Sequence, residues 1–111
     1  MLKKRVTNIK KILDLFIKEL EKEIRIEKVV LFGSYARKSP RDYSDIDILV
    51  VSPDFEGGTA KDYILLDKIA RRVNPLIEAI PYTPSDFKNF EKGDFVDAVR
   101  TSGKVIFDKV A

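Results

Sequence analysis

Apolar residues recur every three or four positions near the start of the chain: Val6, Ile9, Ile12, Leu13, Phe16, Ile17, Leu20 and Ile24, with Lys and Glu between them. That spacing predicts an amphipathic helix over 3–25 whose stripe faces a core. Its basic first turns oppose the helix dipole and favour fraying. The run KVVLF at 28–32 predicts a short strand that Gly33 ends. Residues 34–39 suit one or two helical turns with Ser34 as N-cap, Pro40 stops them, and Arg41-Asp42-Tyr43 forms a connecting turn. DIDILVV at 45–51 is rich in β-branched residues and predicts a second strand. After a loop marked by Pro53 and Gly57-Gly58, a helix is expected over 59–73, with Tyr63, Leu66, Ile69, Ala70 and Val73 on one side, closed by Pro75. LIEAIPY at 76–82 is the third strand, where Pro81 demands an edge position or a strand end. Thr83 caps a short helical turn with Pro84 at its first position. A helix over 94–101 follows, with Gly103 as its C′ residue, and KVIFD closes the chain's pattern as a last strand. The order α-β-α-β-α-β-α-β describes an α/β sandwich on a small sheet flanked by helices.

A chain of 111 residues suits one core, so residues 1–111 are expected to form a single domain. Its 44% hydrophobic and 35% charged residues exclude a disordered chain. Lys plus Arg (21) against Asp plus Glu (18) leaves a net charge of +3, too slight to argue for direct nucleic-acid binding. Cysteine and histidine are both absent. Disulfides, thiolate nucleophiles, zinc sites of the Cys/His type and histidine bases are thereby excluded. Any metal must be hard and oxygen-bound, and acid–base work falls to carboxylate, Lys, Tyr or solvent. No apolar run approaches the ~18 residues of a membrane span, and the charged N-terminus lacks a signal-peptide core, so a cytoplasmic protein is expected.

A discord in the hydrophobic pattern stands at Ser44-Asp45-Ile46-Asp47, where two acids open an otherwise apolar strand. Burying an unpaired carboxylate is costly. Strand residues i and i+2 share a face, so Asp45 and Asp47 point the same way, with Cα atoms ~6.6 Å apart. Two carboxylates at that spacing can converge on one or two divalent ions, whose Mg–O distances are ~2.1 Å. Without a cation they repel and one pKa rises. Ile46 and Ile48 take the opposite face and anchor the strand.

Gly33-Ser34 lies where the first strand gives way to a helix. Glycine lets a phosphate approach the backbone, a helix start presents free N–H groups, and the Ser34 hydroxyl can donate. Arg37, Lys38 and Arg41 add positive charge on the same connection. The loop and the acids can meet only if the first two strands run antiparallel. The third strand, reached through the 59–73 helix, then lies parallel to the second by a right-handed crossover. Alternation puts Glu78 on one face with Leu76 and Ile80, a further carboxylate on an apolar face, and brings it beside Asp45 and Asp47. Three carboxylates at one spot are the arrangement of two-metal phosphoryl displacement. Each feature alone has a plainer reading. Gly33 could be a strand-ending turn, Ser34 a cap, Asp45 a solvated residue at a strand mouth, Glu78 an exposed edge acid and Arg37 a surface charge. Tyr35, Tyr43 and Tyr63 could stack on a base or belong to the core, and Lys10-Lys11 and Arg71-Arg72 suit solvated helix faces. An EF-hand is excluded, because DIDILVVSPDFE lacks the glycine and the oxygen ligands it needs.

The segment GSYARKSPRDYSDID, Gly-Ser, ten residues and then Asp-x-Asp, resembles the signature of the DNA polymerase beta nucleotidyltransferase superfamily, in particular its minimal nucleotidyltransferase (MNT) members. The likeness extends to the leading helix, to YTPSDF after the third strand and to SGKVIFD at the end. It implies a nucleotidyltransferase fold with a small mixed sheet. Gly33 and Ser34 would hold the triphosphate; Arg37, by its charge, and Ser44, beside the acids, are further nucleotide-binding candidates read from the residues themselves. Asp45 and Asp47 would bind Mg²⁺, joined by Glu78, where many members carry Asp. ATP or another triphosphate would be the substrate and an acceptor hydroxyl the nucleophile. With no second domain to cover the base, a partner protein is implied, and such proteins commonly pair with a HEPN-domain toxin as its antitoxin, in some cases by transferring AMP to a toxin tyrosine. Two other readings stand beside this one: a binding antitoxin that works by occlusion with a relic site, and a nucleotide sensor that never turns over. Homo- and hetero-oligomers are both compatible with the sequence.

Overall fold

The computed structural model describes residues 8–38, 40 and 44–110. The expected helical residues 3–7 and 39, the charge of Arg41, and the Arg41-Asp42-Tyr43 turn with its possible stacking tyrosine lie outside that set. Among the described residues, five helices and four strands follow one another: α1 (Ile9–Glu21), β1 (Lys28–Phe32), α2 (Gly33–Ala36), β2 (Ile46–Val51), α3 (Ala60–Arg71), β3 (Ile77–Tyr82), α4 (Pro84–Lys88), α5 (Phe95–Ser102) and β4 (Lys104–Asp108). Among the described residues no helix is long and apolar enough to cross a membrane.

The strands form one sheet in the order β3-β2-β1-β4. β1 runs antiparallel to β2 and to β4, and β2 runs parallel to β3, the mixed pairing expected. β3 is an edge strand, which is where its Pro81, lacking an N–H, can be accommodated.

Alternation along the strands separates two apolar clusters. Val29 and Leu31 of β1 and Ile46, Ile48 and Val50 of β2 face one side, where Leu13, Phe16 and Leu20 of α1 and Leu66, Ile69 and Ala70 of α3 cover them. Val30, Leu49 and Val51 face the other side, covered by Phe87 of α4 and by Val96 and Val99 of α5. At the end of α5, Gly103 has φ −78°, an ordinary extended conformation rather than the left-handed C′ geometry expected of it. Glycine is required there by close approach instead. A Cβ would lie 2.4 Å from the Val99 carbonyl oxygen and 2.7 Å from Val30 Cγ1, so this end of α5 can press against β1 only without one.

The loop between β2 and α3 is held from both ends. Arg25 grips Asp54 through its guanidinium, at 2.6 Å from Nη2, and through its backbone N–H at 2.8 Å. Thr59 N-caps α3 in a capping box with Asp62, whose carboxylate also accepts from the backbone N–H groups of Glu56 (3.0 Å), Gly58 (2.8 Å) and Thr59 (3.3 Å). Burial pushes the Asp62 carboxyl up, but these N–H donors outweigh it and leave the pKa below the usual aspartate value. A lowered folded pKa stabilises the fold above the unfolded value, and the gain is lost as pH falls through the folded pKa. Asp62→Ala is therefore expected to cost about 1–2 kcal/mol in urea unfolding at neutral pH, by removing the capping box and the acceptor of these loop N–H groups. The deficit relative to wild type should narrow in strong acid.

Candidate active site

The geometry at the end of the sheet follows from strand register. Phe32, the last residue of β1, pairs with Asp47 of β2, and Asp47 pairs with Glu78 of β3. Gly33 follows Phe32 directly, so the turn out of β1 lands on the side chain of Asp47. The contact is close: a Cβ on Gly33 would sit 2.2 Å from Asp47 Oδ2, and Gly33 has φ +73°. Both the space and the backbone angle admit only glycine. The loop and the acid thus adjoin, and the side of Gly33 where a side chain would stand is taken by a carboxylate.

Asp45 stands just before β2 and is exposed, Asp47 is half-buried, and Glu78 is exposed. Period-2 alternation puts all three on the sheet face of the second cluster, at the end that α4 and α5 leave open. Asp47 carries the electrostatic signature of this grouping. Burial raises its pKa first, the charges of Asp45 and Glu78 raise it further, and Arg37 lowers it. Among the described residues, no three acidic side chains are gathered closely enough to hold a metal ion as they stand. The donor set is nonetheless of the hard-oxygen kind that suits Mg²⁺, and the repulsion felt by Asp47 is what a bound dication relieves.

Two local expectations differ from the structure. The helix after β1 is the single turn Gly33–Ala36, with Phe32 at its N-cap position and no side-chain cap, so Ser34 lies inside the turn, half-buried. One turn carries little macrodipole. An anion here would be held by N–H groups, the Ser34 hydroxyl and the exposed Arg37 rather than by a helix field. Glu78 shares the face of the second cluster as expected, but on the edge strand β3 its side chain is exposed rather than covered by apolar neighbours. Ser44 is half-buried immediately before Asp45.

Of the candidate stacking tyrosines, Tyr35 is buried in the first cluster, whereas Tyr63 is 46% exposed on α3 and lies outside the core. Sequence reasoning missed Arg71, assigned above to a solvated face. Its guanidinium donates to the carbonyls of Pro75 and Ile77, clamping the start of β3 and so the register that sets Glu78 opposite Asp47. No spacing rule announces such a side chain-to-backbone clamp.

Two substitutions probe this packing. Gly33→Ala is expected to destabilise the protein by at least the roughly 1–2 kcal/mol of a left-handed non-glycine residue, and to displace Asp47, as read by urea unfolding. Asp47→Asn is expected to raise the melting temperature in metal-free buffer at neutral pH. A raised folded pKa means stability present below the unfolded value and lost as pH rises through the folded one, so removing the charge recovers it. The gain should vanish in acid, and Mg²⁺ should stabilise the wild type more than the Asn variant.

The chain matches the nucleotidyltransferase domain family over residues 10–102. Two proteins of Methanocaldococcus jannaschii, both named putative protein adenylyltransferases, are similar to it. One is 34% identical over 93 residues, spanning 78% of this chain and 91% of that protein. The other is 35% identical over 85 residues, spanning 75% and 80%. Among solved structures, a toxin–antitoxin complex with AMP-PNP superposes with a TM-score of 0.64 at 24% identity, covering 86% of this chain and 72% of that one. At that identity the likeness is one of fold.

Proposed function

The chain belongs to the nucleotidyltransferase domain family, and from that premise we propose that it is a Mg²⁺-dependent enzyme that moves AMP from ATP to an acceptor hydroxyl on a partner protein. The partner in this reading is a HEPN-domain toxin, the transfer neutralises it, and the chain is the antitoxin. ATP is the triphosphate and the cytoplasm the place of action. The observation that carries the proposal is the Asp47 carboxylate lying against Gly33 with Asp45 and Glu78 in its field. A phosphate-binding turn and a set of repelling acids at one sheet end are what a triphosphate and its counter-cation require. The similarity to proteins named as protein adenylyltransferases supports a protein acceptor. The fold shared with a toxin–antitoxin complex solved with AMP-PNP supports both the nucleotide and the kind of partner.

Asp45, Asp47 and Glu78 would hold the metal, which when bound supplies charge neutralisation at the phosphates and a lowered pKa for the attacking hydroxyl. The remaining work is done by the chain's own groups. The backbone N–H groups at Gly33-Ser34 and the Ser34 hydroxyl hold the β- and γ-phosphates, with Ser44 completing the pocket. The Arg37 guanidinium, near enough to influence Asp47, offsets charge that develops on the phosphoryl oxygens. The acceptor oxygen attacks the α-phosphorus, the bond to the β-phosphate oxygen breaks, and pyrophosphate leaves. With no histidine in the chain, the proton goes to a carboxylate or to solvent.

The test is transfer of label from α-labelled ATP to the purified partner toxin in the presence of Mg²⁺. Label on the toxin is expected, and the Asp45→Asn/Asp47→Asn double variant should lose it by about a hundredfold or more. Absence of label with the wild type, combined with full toxin neutralisation by the double variant, would replace the enzyme with a protein that acts by occlusion.

A further inference from the structure

The face of the sheet that carries the acids also carries a row of rings. Phe32 precedes Gly33 and pairs with Asp47. Its ring meets Phe95 edge-on, with centroids 5.4 Å apart and planes at 82°. Phe95 also meets Tyr82, with centroids 6.4 Å apart and planes at 29°. These are the offset and edge geometries in which aromatic pairs attract, and they fix the Phe95 ring in one orientation. Phe95 is also the first residue of α5, whose start Asp94 pins by accepting from the Asp97 backbone N–H at 2.9 Å.

Phe95 is nevertheless not a core residue. Val96 and Val99 form the buried stripe of α5, at 5% and 2% exposure, while Phe95 remains 44% exposed. A ring in contact with two others, 44% exposed and one ring-contact away from the Gly33 turn, is a ready stacking surface.

We propose that Phe95 is the platform on which the base of the bound nucleotide stacks, with Phe32 and Tyr82 holding its ring in place. This inference rests on the nucleotidyltransferase reading above and adds the group that receives the base. Phosphates at Gly33-Ser34 and an α-phosphorus near Asp47 leave the nucleoside to extend along the same face, and α5 opens there with this ring. Stacking of this kind supplies affinity with little selectivity between bases, since every base has a π-face. Among the described residues Tyr63 is also an exposed ring; it stands on α3, which packs on the opposite face of the sheet, and lines a cleft with Glu78 and Ile80 at the sheet edge.

The experiment measures binding of ATP with Mg²⁺, and of inorganic tripolyphosphate with Mg²⁺, by titration calorimetry. Phe95→Leu keeps an apolar side chain but removes the ring, and should weaken ATP about tenfold or more while leaving tripolyphosphate unchanged. Phe95→Tyr should bind both as the wild type does. The chain has no tryptophan, so Phe95→Trp installs a single fluorophore that ATP, but not tripolyphosphate, should quench. If Phe95→Leu binds ATP as tightly as the wild type, the platform is elsewhere and the enzyme reading survives. If it loses ATP and tripolyphosphate together, Phe95 is a structural prop and the proposal falls. If the wild type binds neither ligand, the reading of the site falls and the platform with it.

Discussion

The contact between the Asp47 carboxylate and the bare Cα of Gly33 is the constraint from which the rest of the candidate site follows. It demands a glycine at a left-handed angle, an antiparallel pairing of β1 with β2 in the register Phe32–Asp47, and a turn tight enough to leave β1 within one residue. It also brings Arg37, at the far end of that single turn, close enough to bear on Asp47. Shifting the β1–β2 register by one residue would send Asp47 to the opposite face, among Leu66 and Ile69, and remove the site altogether.

Such an arrangement works against stability, since a half-buried acid beside two others is held with its pKa raised. The fold tolerates this because its core lies mainly elsewhere. The first cluster, between the sheet and the two longest helices, contains Phe16, Leu20, Ile46, Ile48, Leu66 and Ile69 with no exposure at all. Ile46 and Ile48 flank Asp47 in sequence and anchor β2 from behind, so the acid is displayed on a strand whose other face is fully packed. The opposite face has only the short α4 and α5, which leave one end open. That division between a closed face that stabilises and an open face that displays polar groups is common where a site must be both rigid and accessible.

Much of this could be read from the residues because it is local. The apolar stripe Leu13-Phe16-Leu20, the β-branched run after Asp45, the cap at Thr83 and the edge-seeking Pro81 each announce their element through spacing or a single special side chain. The antiparallel and parallel pairings were legible too, by a less direct route. Requiring a Gly-Ser turn and an Asp-x-Asp strand to meet leaves one orientation of β1 and β2, and the handedness of the crossover then places β3.

What the sequence by itself determined, then, were the elements, their pairing and the candidate set Gly33, Ser34, Asp45, Asp47 and Glu78, because periodicity, capping and two-residue alternation act over short stretches of chain. Only the tertiary structure decided what depends on neighbours distant in sequence. Glycine at 103 answers the approach of Val99 and Val30 rather than a backbone angle. Glu78 is exposed because β3 ended at the sheet edge, Arg71 clamps the carbonyls that fix its register, and Phe95, unremarkable in its helical pattern, is left half open between Phe32 and Tyr82. Exposure, close approach and ring contact are properties of two surfaces brought together, and the spacing of residues along one chain describes only one surface at a time.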